Sequence, residues 1–184
     1  MEVRRIRTDD VEAYREVRLR SLRLAPDAFG STFQEASKRT DAEWREFTER
    51  LATSAHTAGF VLDRGDPSGS TFGGLATVRL LDDPAGRASR DAPRDAPRDA
   101  EVNQMWLDED LRGGDWAPAL LAACETFART LGPPPVERVT LWVAATNERA
   151  ARLYARCGYE PTGETDEAPE PHLGTEVRLA KPSP

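Results

Sequence analysis

The stretch that decides the fold is Glu101-Val102-Asn103-Gln104-Met105-Trp106-Leu107-Asp108-Glu109-Asp110-Leu111-Arg112-Gly113-Gly114-Asp115-Trp116-Ala117-Pro118-Ala119-Leu120-Leu121. Residues 101–107 alternate as a strand does. Glu101, Asn103, Met105 and Leu107 fall on one face, and Val102, Gln104 and Trp106 on the other. The glycines of Arg112-Gly113-Gly114-Asp115 then make a turn. Leu120, Leu121, Cys124, Phe127, Ala128 and Leu131 supply the apolar face of a helix. Gly132 and Pro133-Pro134-Pro135 stop that helix. Exposed amides at a helix start, with glycine letting the backbone come close, make an anion site. The turn is neither a Walker A loop nor a dinucleotide fingerprint, because the required glycine and lysine spacings are absent.

Upstream, Val3 to Arg7 reads as a strand, and Thr8 is placed to cap a helix carrying Val11, Tyr14, Val17 and Leu22. Pro26-Asp27-Ala28-Phe29-Gly30 breaks that helix. Thr40 and Glu43 form a capping box for a second one, with Trp44, Phe47 and Leu51 on one side. Gly59 to Leu62 and Thr71 to Leu81 read as strands joined by a polar turn, residues 63–70. Downstream, Val139, Leu141 and Val143 alternate in a strand. Asn147 caps a last helix striped by Ala150, Leu153, Tyr154 and Cys157, which Gly158 ends. Strands follow from Tyr159 and over Thr175 to Leu179. The order is that of a mixed α/β domain spanning 1–184. Residues 82–100 hold the tandem Arg-Asp-Ala-Pro repeat, which has little to bury and reads as a flexible hairpin loop.

Composition narrows the function. The chain carries a net charge of −7, with pI near 5.0, which argues against a nucleic-acid partner. No apolar run approaches the roughly 18–20 residues that span a bilayer, and no apolar signal core follows Met1. No membrane partner is expected, and a cytoplasmic location is. Cys124 and Cys157 are too few to staple a domain, which fits a reducing compartment, and His56 and His172 lack ligand-like neighbours, so no metal site is expected.

Three segments together resemble the GNAT superfamily of acetyltransferases. The strand and turn at 101–121 resemble its acyl-CoA motif, whose pyrophosphate loop Q/R-x-x-G-x-G/A is here Arg112-x-x-Asp115-x-Ala117. Asn147-Glu148-Arg149-Ala150-Ala151-Arg152-Leu153-Tyr154-Ala155-Arg156-Cys157-Gly158-Tyr159 is similar to its second motif, N-x-x-A-x-x-L-Y-x-x-x-G-F/Y. Pro26 to Thr32 is similar to a segment of small bacterial members. The resemblance implies a mostly antiparallel central sheet splayed between two parallel strands and flanked by about four helices. It implies acetyl-CoA or another acyl-CoA as co-substrate. Pantetheine would lie along Met105, Trp106 and Leu107, and the diphosphate against Arg112, Gly113, Gly114, Asp115, Trp116 and Ala117. Asn147 would touch the pantetheine. Tyr154 would be the acid for the departing thiolate and Glu101 the base. Phe29, Glu101 and His172 would border the acceptor. Dimerisation is common among such proteins, so a homodimer is one arrangement it allows.

Alternatives stay open beside these roles. Tyr154 also lies on its helix's apolar stripe, Glu101 also fits a solvated strand end, Trp106 fits the core, and Cys157 reads as structural. Asp115 stands where the motif has glycine. Its carboxylate either turns to solvent or occupies the anion nest as a helix cap. In the second case the protein is a GNAT fold that no longer uses acetyl-CoA and either binds a small ligand or catalyses a different reaction in the same cleft. The acids Glu160, Glu164, Asp166, Glu167 and Glu170 suggest a cationic small-molecule amine as acceptor, or simply a solvated loop.

Overall fold

The computed structural model describes residues 1–65, 71–81, 98–131, 135–167 and 174–182. Seven strands form one sheet: β1 (Glu2–Arg5), β2 (Thr57–Asp63), β3 (Phe72–Leu81), β4 (Arg98–Leu107), β5 (Val136–Ala144), β6 (Glu160–Glu167) and β7 (Thr175–Pro182). Their spatial order is β1-β2-β3-β4-β5-β7-β6. Every neighbouring pair is antiparallel except β4 and β5, which run parallel. Among the described residues five α-helices flank it: α1 (Val11–Leu24), α2 (Phe33–Ser37), α3 (Asp41–Thr53), α4 (Trp116–Arg129) and α5 (Glu148–Arg156). Residues 82–97 of the loop expected over 82–100, the helix stop at 132–134, most of the 63–70 turn, Glu170 and His172 lie outside the described residues. Arg98, Asp99 and Ala100, expected in that loop, instead open β4, where pairing with β3 and β5 holds them.

Two apolar cores sit on opposite faces of the sheet. One packs α4 and Tyr154 of α5 against Ala76, Val78, Ala100 and Val102. The other packs α1 and α3, through Tyr14, Val17, Trp44 and Leu51, against Val61, Leu75 and Trp106. Local signals in the sequence account for most of these elements. The Thr40–Glu43 capping box is formed, with the Glu43 amide donating to the Thr40 hydroxyl at 3.3 Å and the Thr40 amide to the Glu43 carboxylate at 2.7 Å. Gly158 takes φ +88° past the end of α5, where the left-handed region favours glycine, and the Tyr159 amide donates back to the Tyr154 carbonyl. Two expectations change. The residue before α1 is Asp10, not Thr8; its carboxylate accepts from the Arg7 amide and the Arg4 guanidinium rather than from the helix amides. Short α2 was not anticipated, although Thr32 and Glu35 form a second capping box there.

The largest departure lies within β4. Val78 pairs with Val102 and Thr77 with Asn103, but Leu75 pairs with Trp106, so Gln104 and Met105 together oppose Ala76 alone. This is a β-bulge, and the extra residue reverses the alternation beyond it. Val102 and Leu107 therefore share the α4 core while Trp106 enters the α1–α3 core, correcting the two-face reading of 101–107. Gln104 carries φ +56°, a conformation that costs a side-chain-bearing residue about 1–3 kcal/mol. The Tyr14 hydroxyl donates to Gln104 Oε1 at 2.8 Å and holds the bulge against α1.

Candidate functional site

The parallel pair is short. β4 and β5 are in register from Arg98↔Val136 to Glu101↔Thr140, and no pairing follows. From Val102 to Leu107, β4 continues beside β3 but parts from β5, leaving that edge of its backbone without a strand partner. The closed end of the wedge is fastened by Asp99, only 2% exposed. Its carboxylate accepts from Arg138 of β5 at 2.8 Å and from the buried Arg178 of β7 at 3.1 Å, and Arg178 reaches Glu164 of β6 at 2.7 Å. Bridging β4, β5 and β7, with Arg178 extending the network to β6, one carboxylate fixes the point from which β4 and β5 diverge.

Two cavities occupy the opening. The smaller, about 240 Å³, is walled by Met105, Trp106 and Leu107 of β4, then by Arg112, Gly113, Gly114 and Ala117 at the start of α4. Asn147, Arg149, Leu153, Tyr154 and Arg156 close it from the α5 side. Asn147 caps α5, its Oδ1 accepting from the Ala150 amide at 3.1 Å. Arg112 is held by donating from Nε to the Leu107 carbonyl at 2.9 Å. Among the described residues no carboxylate pairs with Arg112, Arg149 or Arg156, and no protein acceptor takes the amides of Gly113 to Ala117. A Cβ built on Gly113 or Gly114 would meet nothing within 4 Å, and Gly113 holds φ +89°. Free amides, an open backbone and unpaired guanidinium groups fit a polyphosphate.

Asp115 and Trp116 are not walls of this cavity. Asp115 is exposed and makes no capping hydrogen bond, so the carboxylate does not sit across the helix-start amides. Trp116 instead packs half-buried against the α4 core.

The larger cavity, about 580 Å³, lies on the other side of Met105, Tyr154 and Ala28, which line both. Phe29 contributes to it as the sequence suggested, and so do Arg18 of α1, Arg50 of α3, Arg79 of β3 and Glu176 of β7. Tyr154 is 7% exposed, and burial pushes its phenol up to about 12. Its hydroxyl has no hydrogen-bond partner among the described residues, while its ring packs edge-on to Tyr159 at 6.0 Å. Glu101 is not at either cavity's wall. It is 6% exposed rather than a solvated strand end, and its Oε1 accepts from Arg79 at 2.8 Å and Asn103 at 3.1 Å. Sequence reasoning missed Glu176, half-buried at the β7 end beside β5; burial first, then the nearby Asp166 and Glu101 charges, raise its carboxyl above the usual range. Of the acids behind the cationic-acceptor expectation, Glu160, Asp166 and Glu167 are exposed and Glu164 pairs with Arg178; none of these four lines the cavity, and Glu170 lies outside the described residues. Cys157 lines neither cavity, and burial holds its thiol above its ordinary value. Among the described residues, no group of three or more His, Cys, Asp or Glu is placed to hold a metal ion, and no helix is long and apolar enough to cross a membrane.

A sheet wedged open at one parallel pair, with a polyphosphate-fitting helix start on one side, is the arrangement that the resemblance to GNAT acetyltransferases implies. The Acetyltransferase (GNAT) family profile matches residues 22–159, and the chain belongs to that family, whose members transfer acyl groups from acyl-CoA. No curated protein sequence matches it significantly. Among solved structures it is similar to a GNAT-family acetyltransferase from Streptococcus pneumoniae, with TM-score 0.74 and 13% identity, covering 100% of this chain and 99% of that one. It is also similar to the PaiA N-acetyltransferase of Thermoplasma acidophilum in complex with coenzyme A, with TM-score 0.68, 14% identity and 98% of each chain. NAA60 of Arabidopsis thaliana in complex with acetyl-CoA matches at TM-score 0.66 and 16% identity, over 98% of this chain and 97% of that one. At these identities the likeness speaks for the fold.

Proposed function

We propose that the protein is an N-acyltransferase that moves an acetyl or other short acyl group from acyl-CoA to a small-molecule amine by direct attack. The observation that carries this reading is the meeting of the two cavities at Met105 and Tyr154, one lined for a polyphosphate and the other open to a second substrate. Acyl-CoA supplies the thioester, an activated acyl carbon. The amides of Gly113, Gly114 and Ala117, with Arg112, Arg149 and Arg156 around them, hold the diphosphate end. The unpaired β4 edge from Met105 to Leu107 offers backbone groups to the pantetheine amides, and Asn147 borders the same path.

Tyr154 donates a hydrogen bond toward the leaving sulfur. With the phenol at about 12 and a thiol's ordinary value near 8.5, complete proton transfer is uphill by about 5 kcal/mol. Hydrogen-bond stabilisation of the developing thiolate is therefore the larger part of its role. The acceptor ammonium must lose a proton before it attacks, and Glu176 is the better base, because Glu101 is committed to Arg79 and Asn103. A raised carboxyl matches that task better than an ordinary one. The reading in which the cleft has abandoned acyl-CoA rests on Asp115 alone, and the exposed position of that carboxylate gives it no support.

Release of free thiol from acetyl-CoA, followed across a panel of primary amines, tests the proposal. Amine-dependent release is expected, with Tyr154→Phe slower by about ten- to a hundredfold in kcat. Failure of acetyl-CoA to bind would overturn it.

A further inference from the structure

The acceptor cavity has an unusual charge balance. Arg18 is 4% exposed, lines the cavity, and has no carboxylate partner among the described residues. Its guanidinium donates to Ser31 Oγ at 2.7 Å and Ser21 Oγ at 3.5 Å and lies over the Phe29 ring at 4.6 Å. A buried guanidinium is normally paired, because water no longer compensates its charge. Burial lowers Arg18 to about 10, which still leaves it charged at neutral pH. The other cations nearby deepen the imbalance. Arg50 lines the same cavity and stacks on Phe47 at 4.8 Å, again with no carboxylate among the described residues. Arg79 also lines it, but is neutralised by Glu101. Glu176 is the one acidic residue at the described walls.

We infer that the acceptor is a small amine that also bears an oxyanion, a carboxylate or a phosphate, which pairs with Arg18 and is helped by Arg50. This rests on the acyl-transfer reading and gives its acceptor a chemical class. An amine directed toward Glu176 and Tyr154, with its anionic group toward Arg18, satisfies both signs of charge in one cavity. The serine partners leave the rest of the guanidinium fork for a two-point contact with an oxyanion. Anion binding on Arg18 also accounts for why a charge interrupts the apolar stripe of α1 between Val17 and Leu22. A cationic acceptor such as a polyamine would instead meet Arg18 and Arg50 as like charges.

The test compares matched amines as acceptors with acetyl-CoA: phenylalanine, methionine and leucine, each against its amide and its decarboxylated amine, with phosphoethanolamine against ethanolamine. Spermidine is the cationic control. Expected is a kcat/KM for the oxyanion-bearing member about ten- to a hundredfold above its neutralised partner, as one charge-assisted contact provides. The carboxylate and phosphate arms decide which oxyanion is used. Arg18→Lys should keep part of that preference and Arg18→Met should lose it. Because Arg18→Met removes a buried group, the surface variant Arg50→Gln provides a second reading, with a smaller loss in the same direction. Independently of turnover, phenylacetate and inorganic phosphate are titrated against the protein while the arginine Nε resonances are followed, and the Arg18 signal should shift. Equal or better turnover of the neutral or cationic amines, or an unmoved Arg18 resonance, overturns this inference while acyl transfer stands. A shifted Arg18 resonance in a protein that neither binds nor consumes acetyl-CoA supports the anion pocket and overturns the transferase reading instead.

Discussion

Replacing Asp115 with Asn asks whether the residue that breaks the diphosphate motif obstructs the site or merely borders it. The structure sets the size of the answer. Asp115 is exposed, so its carboxylate acts through a water-like dielectric. At about 6 Å, each pair of unit charges then repels by roughly 0.7 kcal/mol, and a screening length of about 8 Å at physiological salt halves that. Two phosphate charges give about 0.7 kcal/mol, or about threefold in affinity. Arg112, Arg149 and Arg156 line the same cavity without carboxylate partners among the described residues, so attraction outweighs this repulsion in the unaltered protein. Asn keeps the shape and the helix-start preference, so α4 should be undisturbed. Calorimetric titration with acetyl-CoA should show binding by both proteins, a gain of about threefold for Asp115→Asn, and a smaller gain in half-molar salt. A gain beyond about a hundredfold, or binding by the variant alone, would place the carboxylate inside the diphosphate site and refute the reasoning.

Other expectations concern the base, the wedge and the helix caps. If Glu176 is the base, the acidic limb of kcat/KM should sit above the range of a free glutamate, and Glu176→Gln should flatten it, as a pH–rate profile will show. Because its folded value is raised, the stability contributed by Glu176 is present below its unfolded pKa and is lost as pH rises through the folded one. Glu176→Gln should therefore raise the urea midpoint at neutral pH even as it slows turnover. Asp99→Ala removes the buried carboxylate that Arg178 shares with Arg138, leaving Arg178 to Glu164, and should cost about 3 kcal/mol in urea denaturation. Thr40→Ala should cost about 1 kcal/mol by the same measurement, through loss of the α3 capping box.

Features written in local sequence were legible. The Thr40–Glu43 box, the Asn147 cap and the Gly158 stop each depend on residues within one turn, and each appears where its residue type places it. Recognition of the two motifs placed Met105, Arg112, Gly113, Gly114, Asn147 and Tyr154 around one cavity. What escaped depends on contacts remote in sequence. The bulge at Gln104–Met105 leaves only a weak local mark, the polar pair Asn103-Gln104 followed by the apolar run Met105-Trp106-Leu107 where strict alternation lapses; pairing with β3 and the Tyr14 contact reveal the extra residue. Glu176 reaches the cavity because β7 inserts between β5 and β6, an order that no local pattern encodes. Glu101 read as a base or a solvated strand end because Arg79, its partner, lies on a neighbouring strand. Arg18 did leave a signal, a charge among Tyr14, Val17 and Leu22 on the buried face of α1. A charged residue on an apolar stripe is worth pursuing as a ligand-facing group.

The central claim is that the gap between β4 and β5 receives acyl-CoA with its thioester beside Tyr154. A crystal structure with acetyl-CoA tests this most directly. The account predicts the diphosphate on the amides of Gly113, Gly114 and Ala117, the pantetheine along Met105 to Leu107, and the thioester sulfur within hydrogen-bond reach of the Tyr154 hydroxyl. An acyl-CoA bound elsewhere on the surface, or a gap that stays empty at saturating ligand with Asp115 turned onto those amides, would contradict it.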